Sequence, residues 1–363
     1  MSKNLKITYL FESTDLWGGT KVGLEQAEAL SDAGYNITIL SKDAGPTWYD
    51  LRLPVIKVSG FDVDTIPESD IIVGTYWPTV RAAYESHRGI AVHLCQGYEG
   101  GCKEYNSFKA AIDEVYSYRI PKLTISLNLD KFLIDRFNAE TYYIGQMLNR
   151  DIFYPSTNSV CKKLFKPFKI PGFDTFKVLV VGPFEADVKN IAVSLKGISL
   201  AKKSLGHPLK LIRVSQFPLS AGEKEIMKPD TYHFHVPHQD MGKIYRKADV
   251  LISMSNEAEG FGLPPLEAMA SGIPTILSKI SSHLVYDDPQ DYAVFSEFDP
   301  EALSEVILSV FRNSELRDRI SKRGLLVADK YTRESVVSRL DRAFNDIVSR
   351  SQLKGGYDKV GRR

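Results

Sequence analysis

Two glutamates separated by seven residues, Glu259 and Glu267, sit in the stretch SNEAEGFGLPPLEAMASGIP that runs from Ser255 to Pro274. Gly260 and Gly262 between them allow backbone conformations and close ligand approach that side chains would block. Pro264 and Pro265 suit the first turn of a helix and Gly272 its end, so the free N–H groups before Pro264 form a place for a phosphate or another anion. Glu259 falls in the loop and Glu267 inside the helix, and both carboxylates can face one ligand. Carboxylates beside an anion site fit a ligand with hydroxyls as well as phosphates, which a sugar nucleotide has.

A second turn of this kind, LWGGTKVGLEQAEAL, follows the first strand, and its Gly18 and Gly19 open a helix. It could face donor phosphates or an acceptor. The elements that must hold these loops read as an α/β chain. Short β-rich runs alternate with helical-period segments: a strand from Lys6 to Phe11, a helix from Lys21 to Ala33, and a strand from Asn36 to Ser41. Further strands are expected at Val55 to Ser59, Asp70 to Tyr76, Ile90 to Gln96 and Leu123 to Leu127, with a helix near Asp130 to Phe137. A second α/β series begins with the apolar run Phe176 to Val181. It continues through a helix at Ala192 to Leu205, a strand at Leu209 to Val214, a helix at Met241 to Lys247, and strands at Val250 to Met254 and Pro274 to Leu277.

The resulting division is residues 1–155 as one Rossmann-like domain, 156–175 as a linker rich in proline and lysine, and 176–335 as a second Rossmann-like domain. A helix at 336–350 then packs across the boundary, and 351–363 form a polar tail. Two such halves place a ligand at the carboxyl ends of both sheets, in a cleft between them.

The 363 residues carry a formal net charge of +1, which gives no global attraction to nucleic acid or to an acidic membrane. Three cysteines without paired short spacing, Cys95, Cys102 and Cys161, show neither a disulfide framework nor a zinc site and fit a reducing cytoplasm. The N-terminal apolar run soon meets Glu12 and Asp15, so it reads as neither a signal peptide nor an anchor. His233, His235 and His238 lack an acidic or cysteine partner for a metal, and Asp62 with Asp64 reads as a solvated loop. Lys162, Lys163, Lys166 and Lys169, interleaved with Phe165 and Phe168, allow peripheral membrane contact without indicating it. No P-loop, nucleophile elbow or zinc spacing occurs, which argues against an NTPase, a serine hydrolase or a metalloprotease.

The Glu259 to Glu267 pattern, together with YRKADVLISMSNEAEGFG before it, resembles the donor-site signature of the family 4 retaining glycosyltransferases of GT-B fold. The resemblance implies that Glu267 holds the nucleotide ribose, that Glu259 contacts the transferred sugar, and that the backbone from Gly260 and Phe261 through Gly262 to Leu263 binds the diphosphate. The family's lysine after the first strand of the C-terminal domain corresponds to Lys189 in GPFEADVKN, whereas Pro183 stands where its arginine is expected. Arg213, at the end of the strand Leu209 to Val214, is then the candidate for the missing cation. Either His93 or Gln96, in AVHLCQGYEGG, takes the place of the family's N-terminal histidine; the strand end favours Gln96, and Glu99 lies just beyond. The resemblance thus implies a cytoplasmic, metal-independent glycosyltransferase working with retention. It would move a sugar from a nucleotide-sugar donor, with UDP expected and GDP open, to a carbohydrate or lipid-linked acceptor. A nucleotide-sugar epimerase or hydrolase and a non-catalytic nucleotide-sugar-binding protein are the alternatives.

Overall fold

The computed structural model describes residues 5–156, 175–206 and 208–360, so Cys161 and the lysines and phenylalanines expected in the linker lie outside the described residues. The chain divides into two compact units. One takes in Met1–Gly101, Tyr105–Met147 and Thr332–Arg363, and the other takes in Cys102–Glu104 and Leu148–Tyr331.

The first unit holds a parallel sheet of β1 (Lys6–Phe11), β2 (Asn36–Ser41), β3 (Val55–Lys57), β4 (Ile71–Gly74), β5 (Ile90–Cys95), β6 (Lys122–Thr124) and β7 (Thr141–Tyr143). Its order is β3-β2-β1-β4-β5-β6-β7. The second unit holds β8 (Phe176–Val181), β9 (Leu209–Ser215), β10 (Thr231–Phe234), β11 (Val250–Ser253), β12 (Thr275–Ser278) and β13 (Val294–Ser296), ordered β10-β9-β8-β11-β12-β13. Parallel strands covered by helices on both faces read as continuous apolar runs, which is why Ile71–Gly74 is buried throughout. In each unit the strand order reverses beside the first strand, between β1 and β4 and between β8 and β11. The loops after those strands part to opposite faces and leave a crevice at their carboxyl ends.

Helix starts follow local chemistry. The Ser126 hydroxyl accepts from the Leu129 N–H, the Asp299 carboxylate from the Ala302 N–H, and the Asn313 side chain from the Leu316 N–H, each satisfying a first-turn donor that has no partner within its helix. The second unit's core lies between the sheet and its helices, with Leu195 and Ile198 of helix Ile191–Ser204 and Leu303 and Ile307 of helix Pro300–Arg312 packed on Val178, Val180 and Ile252.

Several sequence expectations are corrected here. The strand read at Leu123 to Leu127 ends at Thr124, because Ser126 caps a helix that already begins at Leu127. It also starts one residue earlier, at Lys122, a buried lysine whose ammonium donates to the carbonyls of Tyr118 (2.8 Å) and Ile120 (3.3 Å). Of the residues read as a polar tail, 351–360 continue the last helix, Arg333–Val360. That helix belongs to the first unit: the Tyr142 hydroxyl donates to Asp346 at 2.7 Å, and Val336, Leu340 and Phe344 are buried.

Arg213 is not a ligand-facing cation. Its side chain is 0% exposed and its Nε donates to Glu223 at 2.5 Å. Nη1 donates to the Val180 carbonyl at 2.8 Å and Nη2 to the Gly182 carbonyl at 2.9 Å. Strand β9 pairs Val180 with Arg213 in register, so the guanidinium lies beneath the end of β8 and fixes the turn at Gly182. Its charge is spent on Glu223, itself 1% exposed. Replacing Arg213 by Met should cost about 3–5 kcal/mol by urea unfolding, because Glu223 is left buried and unpaired, and R213M/E223M should recover most of that loss.

Candidate functional site

The crevice beside β8 and β11 brings together residues far apart in sequence. Strand β8 is followed at once by Gly182, whose φ of 126° is closed to most side chains, and a Cβ there would sit 3.2 Å from the Lys189 stem. The chain then makes the short turn Asp187–Lys189, which is tied to the loop after β11 by the Asn256 N–H donating to the Val188 carbonyl at 2.9 Å. Lys189 thereby meets Glu259. Its ammonium donates to Glu259 Oε2 at 2.6 Å, with side-chain exposures of 22% and 11%. The Ser255 hydroxyl donates to the same oxygen at 2.9 Å. Burial by itself opposes charge on Glu259, but the Lys189 ammonium and the hydrogen bonds outweigh it and hold the carboxyl below the usual carboxylate range. Glu259 is therefore ionised at neutral pH.

The loop Gly260–Gly262 turns directly into helix Leu263–Ala270. Gly262 has φ 87°, and a Cβ there would meet the Tyr286 hydroxyl at 2.7 Å, so only glycine fits. The Tyr286 hydroxyl lies 2.7 Å from the Phe261 carbonyl and 2.6 Å from that of Gly262 and anchors both. Pro264 and Pro265 have no N–H, so with these carbonyls held the candidate anion donors are the backbone N–H groups of the loop up to Leu263. Inside the helix Glu267 is buried, and its Oε2 accepts from the Tyr245 hydroxyl at 2.7 Å. Glu267 and Tyr245 therefore form a fixed polar group on the helix face that the Glu259 loop leads into.

Sequence reasoning missed the groups that steady this arrangement. Ser278, the last residue of β12, donates to the Ser255 carbonyl at 2.6 Å, and the His283 Nδ1 lies 3.0 Å from the Ser278 carbonyl. A reading of every strand end in a parallel sheet as a ligand-facing position would have flagged Ser278. His283 and Tyr286 carry no such signal.

In the first unit Gly18 and Gly19 open helix Gly18–Asp32, and the Gln96 amide, just past β5, donates to the Gly19 carbonyl at 2.9 Å. The double-glycine turn and Gln96 are thus one assembly. His93 lies within β5, opposite Gly74 and Lys122, fully buried and edge-on to the Tyr116 ring at 4.7 Å. Burial, with the Lys122 charge beside it, pushes its pKa down to about 3. It is a neutral sheet residue. Glu99 accepts from the Tyr116 hydroxyl, and burial raises its pKa.

Asp62 caps its own loop, accepting from the N–H groups of Asp64 (3.0 Å) and Thr65 (2.9 Å). His233 lies on β10, whereas His238 opens the next helix. Among the described residues no cluster of three or more histidine, cysteine or acidic side chains is placed to hold a metal ion, and no helix is long and apolar enough to cross a membrane.

The chain is similar to several known proteins. The poly(glycerol-phosphate) alpha-glucosyltransferase of Bacillus subtilis is 25% identical over 294 residues, 78% of this chain and 41% of that protein. O-antigen chain mannosyltransferase B of Escherichia coli is 31% identical over 120 residues, 31% of this chain and 29% of that protein. The chain thus spans less than half the length of these relatives. Among solved structures, the sucrose-phosphate synthase of Thermosynechococcus elongatus superposes with a TM-score of 0.77 at 16% identity, covering 95% of this chain and all of that one. Anabaena HepE in complex with UDP-glucose gives 0.73 at 14% identity, covering 94% of this chain and 100% of that one. The fold is accordingly GT-B, with two Rossmann-like parallel-sheet units, and residues 165–327, which include Lys189, Glu259 and Glu267, match the family described as glycosyl transferases group 1.

Proposed function

We propose that this protein is a glycosyltransferase that transfers a sugar from a nucleotide-sugar donor, with UDP as the nucleotide and with retention of anomeric configuration. The observation that carries this reading is the Lys189–Glu259 pair at the crevice where the second sheet reverses order, immediately before an anion-binding helix start that is followed by the buried Glu267. The match of this segment to group 1 glycosyl transferases and the likeness to B. subtilis poly(glycerol-phosphate) alpha-glucosyltransferase support transfer. The likeness of the fold to HepE, solved with UDP-glucose, supports UDP. Retention rests on the resemblance of the Glu259 to Glu267 pattern alone.

In this reading the diphosphate lies on the N–H groups from Gly260 to Leu263, Glu267 holds the ribose hydroxyls, and Glu259 faces the sugar. As the bond from sugar to phosphate breaks, negative charge grows on the diphosphate and positive charge on the ring. Lys189 and the helix start stabilise the first and Glu259 the second. Because those charges are supplied by the chain, transfer proceeds without a metal ion. On the first unit, Gln96 is the proposed group near the transferred sugar, and the Gly18–Gly19 turn the proposed contact to the donor phosphates or the acceptor. The acceptor is a carbohydrate or a lipid-linked sugar, and the enzyme works in the cytoplasm.

A second reading, a protein that binds nucleotide sugars without transferring them, is favoured by one observation: Arg213, the candidate for the missing diphosphate cation, is committed to Glu223 and to backbone carbonyls. Turnover separates the two readings. Incubated with a panel of UDP- and GDP-sugars in EDTA, the protein should release nucleotide slowly with one donor and at the same rate as without chelator. Neither binding by calorimetry nor release with any donor would overturn the donor-site assignment; binding without release, with or without added acceptor sugars, would favour the second reading.

Glu259→Ala should lower that release about 100-fold or more while donor binding falls far less, because the carboxylate acts on the charge that develops at the sugar. Lys189→Met should lower kcat by a similar factor of about 100 and, unlike Glu259→Ala, should weaken binding of UDP itself. Equal loss of UDP binding in both variants would show that the pair serves only to shape the loop.

A further inference from the structure

The missing arginine leaves an electrostatic question. A nucleotide sugar brings a diphosphate with two negative charges, whereas Lys189 brings one positive charge that already serves Glu259. Arg213 cannot turn toward the ligand without abandoning Glu223.

The residue that can change its charge here is His283. Its side chain is fully buried, and its backbone carbonyl is held by the Tyr292 hydroxyl at 2.7 Å. Nδ1 lies 3.0 Å from the Ser278 carbonyl and 3.2 Å from the Ser278 hydroxyl, whose own hydrogen goes to the Ser255 carbonyl; both oxygens can only accept, which assigns the hydrogen to Nδ1 and leaves Nε2 as the remaining nitrogen. That nitrogen is buried and has no hydrogen-bond partner among the described residues. It faces the donor loop: a Cβ on Gly262 would sit 3.2 Å from it.

The imidazole therefore lies directly behind the turn whose N–H groups make the anion site. Through Ser278 and Ser255 it is also joined to Glu259. The charged groups acting on it are Glu259 and Glu257, which favour the imidazolium, and Lys189, which opposes it; the Tyr286 ring stacks beside it at 6.1 Å. For the protein alone burial dominates and pushes its pKa down to about 4, so the ring is neutral.

We propose that His283 supplies the second positive charge of the diphosphate site, taking a proton from solvent onto Nε2 as the donor binds. This rests on the donor-binding reading above and adds a proton to it. The physical cause is reciprocal: the diphosphate favours the imidazolium and the imidazolium favours the diphosphate. The sign follows. The bound-state pKa lies above the free-state value, so affinity rises as pH falls through the bound-state pKa, and the gain is complete only below the free-state value. A nucleoside diphosphate sugar has no group of its own that titrates between about pH 6 and 8, which leaves the protein as the source of any proton uptake.

The test is calorimetry of UDP-glucose, with GDP-mannose beside it, binding to the whole chain in buffers of high and low ionisation enthalpy. Wild type should bind roughly fivefold more tightly at about pH 6 than at about pH 8, with net proton uptake, and His283→Asn should lose both the uptake and the pH dependence. Because His283→Asn removes a packed ring, a second measurement uses wild type alone. In histidine-labelled NMR, one of the seven histidine signals should move toward the imidazolium position when UDP-glucose is added near neutral pH.

Equal proton uptake in His283→Asn and wild type, or seven histidines unchanged by a ligand that demonstrably binds, would overturn the proposal and leave donor binding intact. Absence of binding by either nucleotide sugar would overturn the donor reading and this proposal with it.

Discussion

The ion pair between Lys189 and Glu259 is the contact around which the second unit's candidate site is organised. It joins the loop after β8 to the loop after β11, the two neighbouring parallel strands between which the strand order reverses. A cation and a carboxylate 2.6 Å apart and mostly buried need further hydrogen bonds to offset their lost hydration. Ser255 supplies one such bond to Glu259. Gly182 admits the Lys189 stem, and Gly262 lets the loop pass under Tyr286 into its helix. Each of these small features makes room for the pair or for the turn that follows it.

Two buried titratable groups near this pair have opposite uses. Arg213 cannot lose its charge in a folded protein, so it can be buried only with a permanent partner, and Glu223 with the carbonyls of Val180 and Gly182 fills that need. It is a structural cation. His283 can be buried as a neutral ring at far lower cost, with Nδ1 satisfied by Ser278 and Nε2 left over. The first group fixes the end of β8, and the second retains the capacity to respond to charge that arrives later.

The first unit shows the same economy of parts. Its double-glycine turn follows the first strand and is gripped by Gln96 from the end of β5, so a backbone turn and a side-chain amide are positioned by two strands of one sheet. The last helix completes this unit from the far end of the chain, through buried Val336, Leu340 and Phe344 and the Tyr142–Asp346 hydrogen bond. The first unit is thus closed by residues some two hundred positions from its sheet.

Features that depend on local pattern are legible in the residues alone. Apolar runs such as Lys6–Phe11 and Phe176–Val181 are strands because parallel strands are buried on both faces, and glycines followed by proline or by a helical period mark the strand-to-helix turns at Gly18 and Gly262. The short strands Thr141–Tyr143 and Val294–Ser296 escaped because three residues carry too little period to read. Leu127 reads as strand in the apolar run from Leu123 but opens a helix, because the Ser126 cap before it is visible only once the helix is known.

Tertiary structure alone decided which charges meet. Lys189 lies in the turn after β8 and Arg213 near the end of β9, and both read in sequence as cations at strand ends, yet one reaches Glu259 at the crevice and the other is sealed under the sheet by Glu223. Only the register of β9 against β8 and the position of the next helix's glutamate fix that difference. The same holds for His283, whose environment is built by Ser278, Gly262 and Tyr286. Burial and partner are properties of the fold, and no spacing of residue types encodes them.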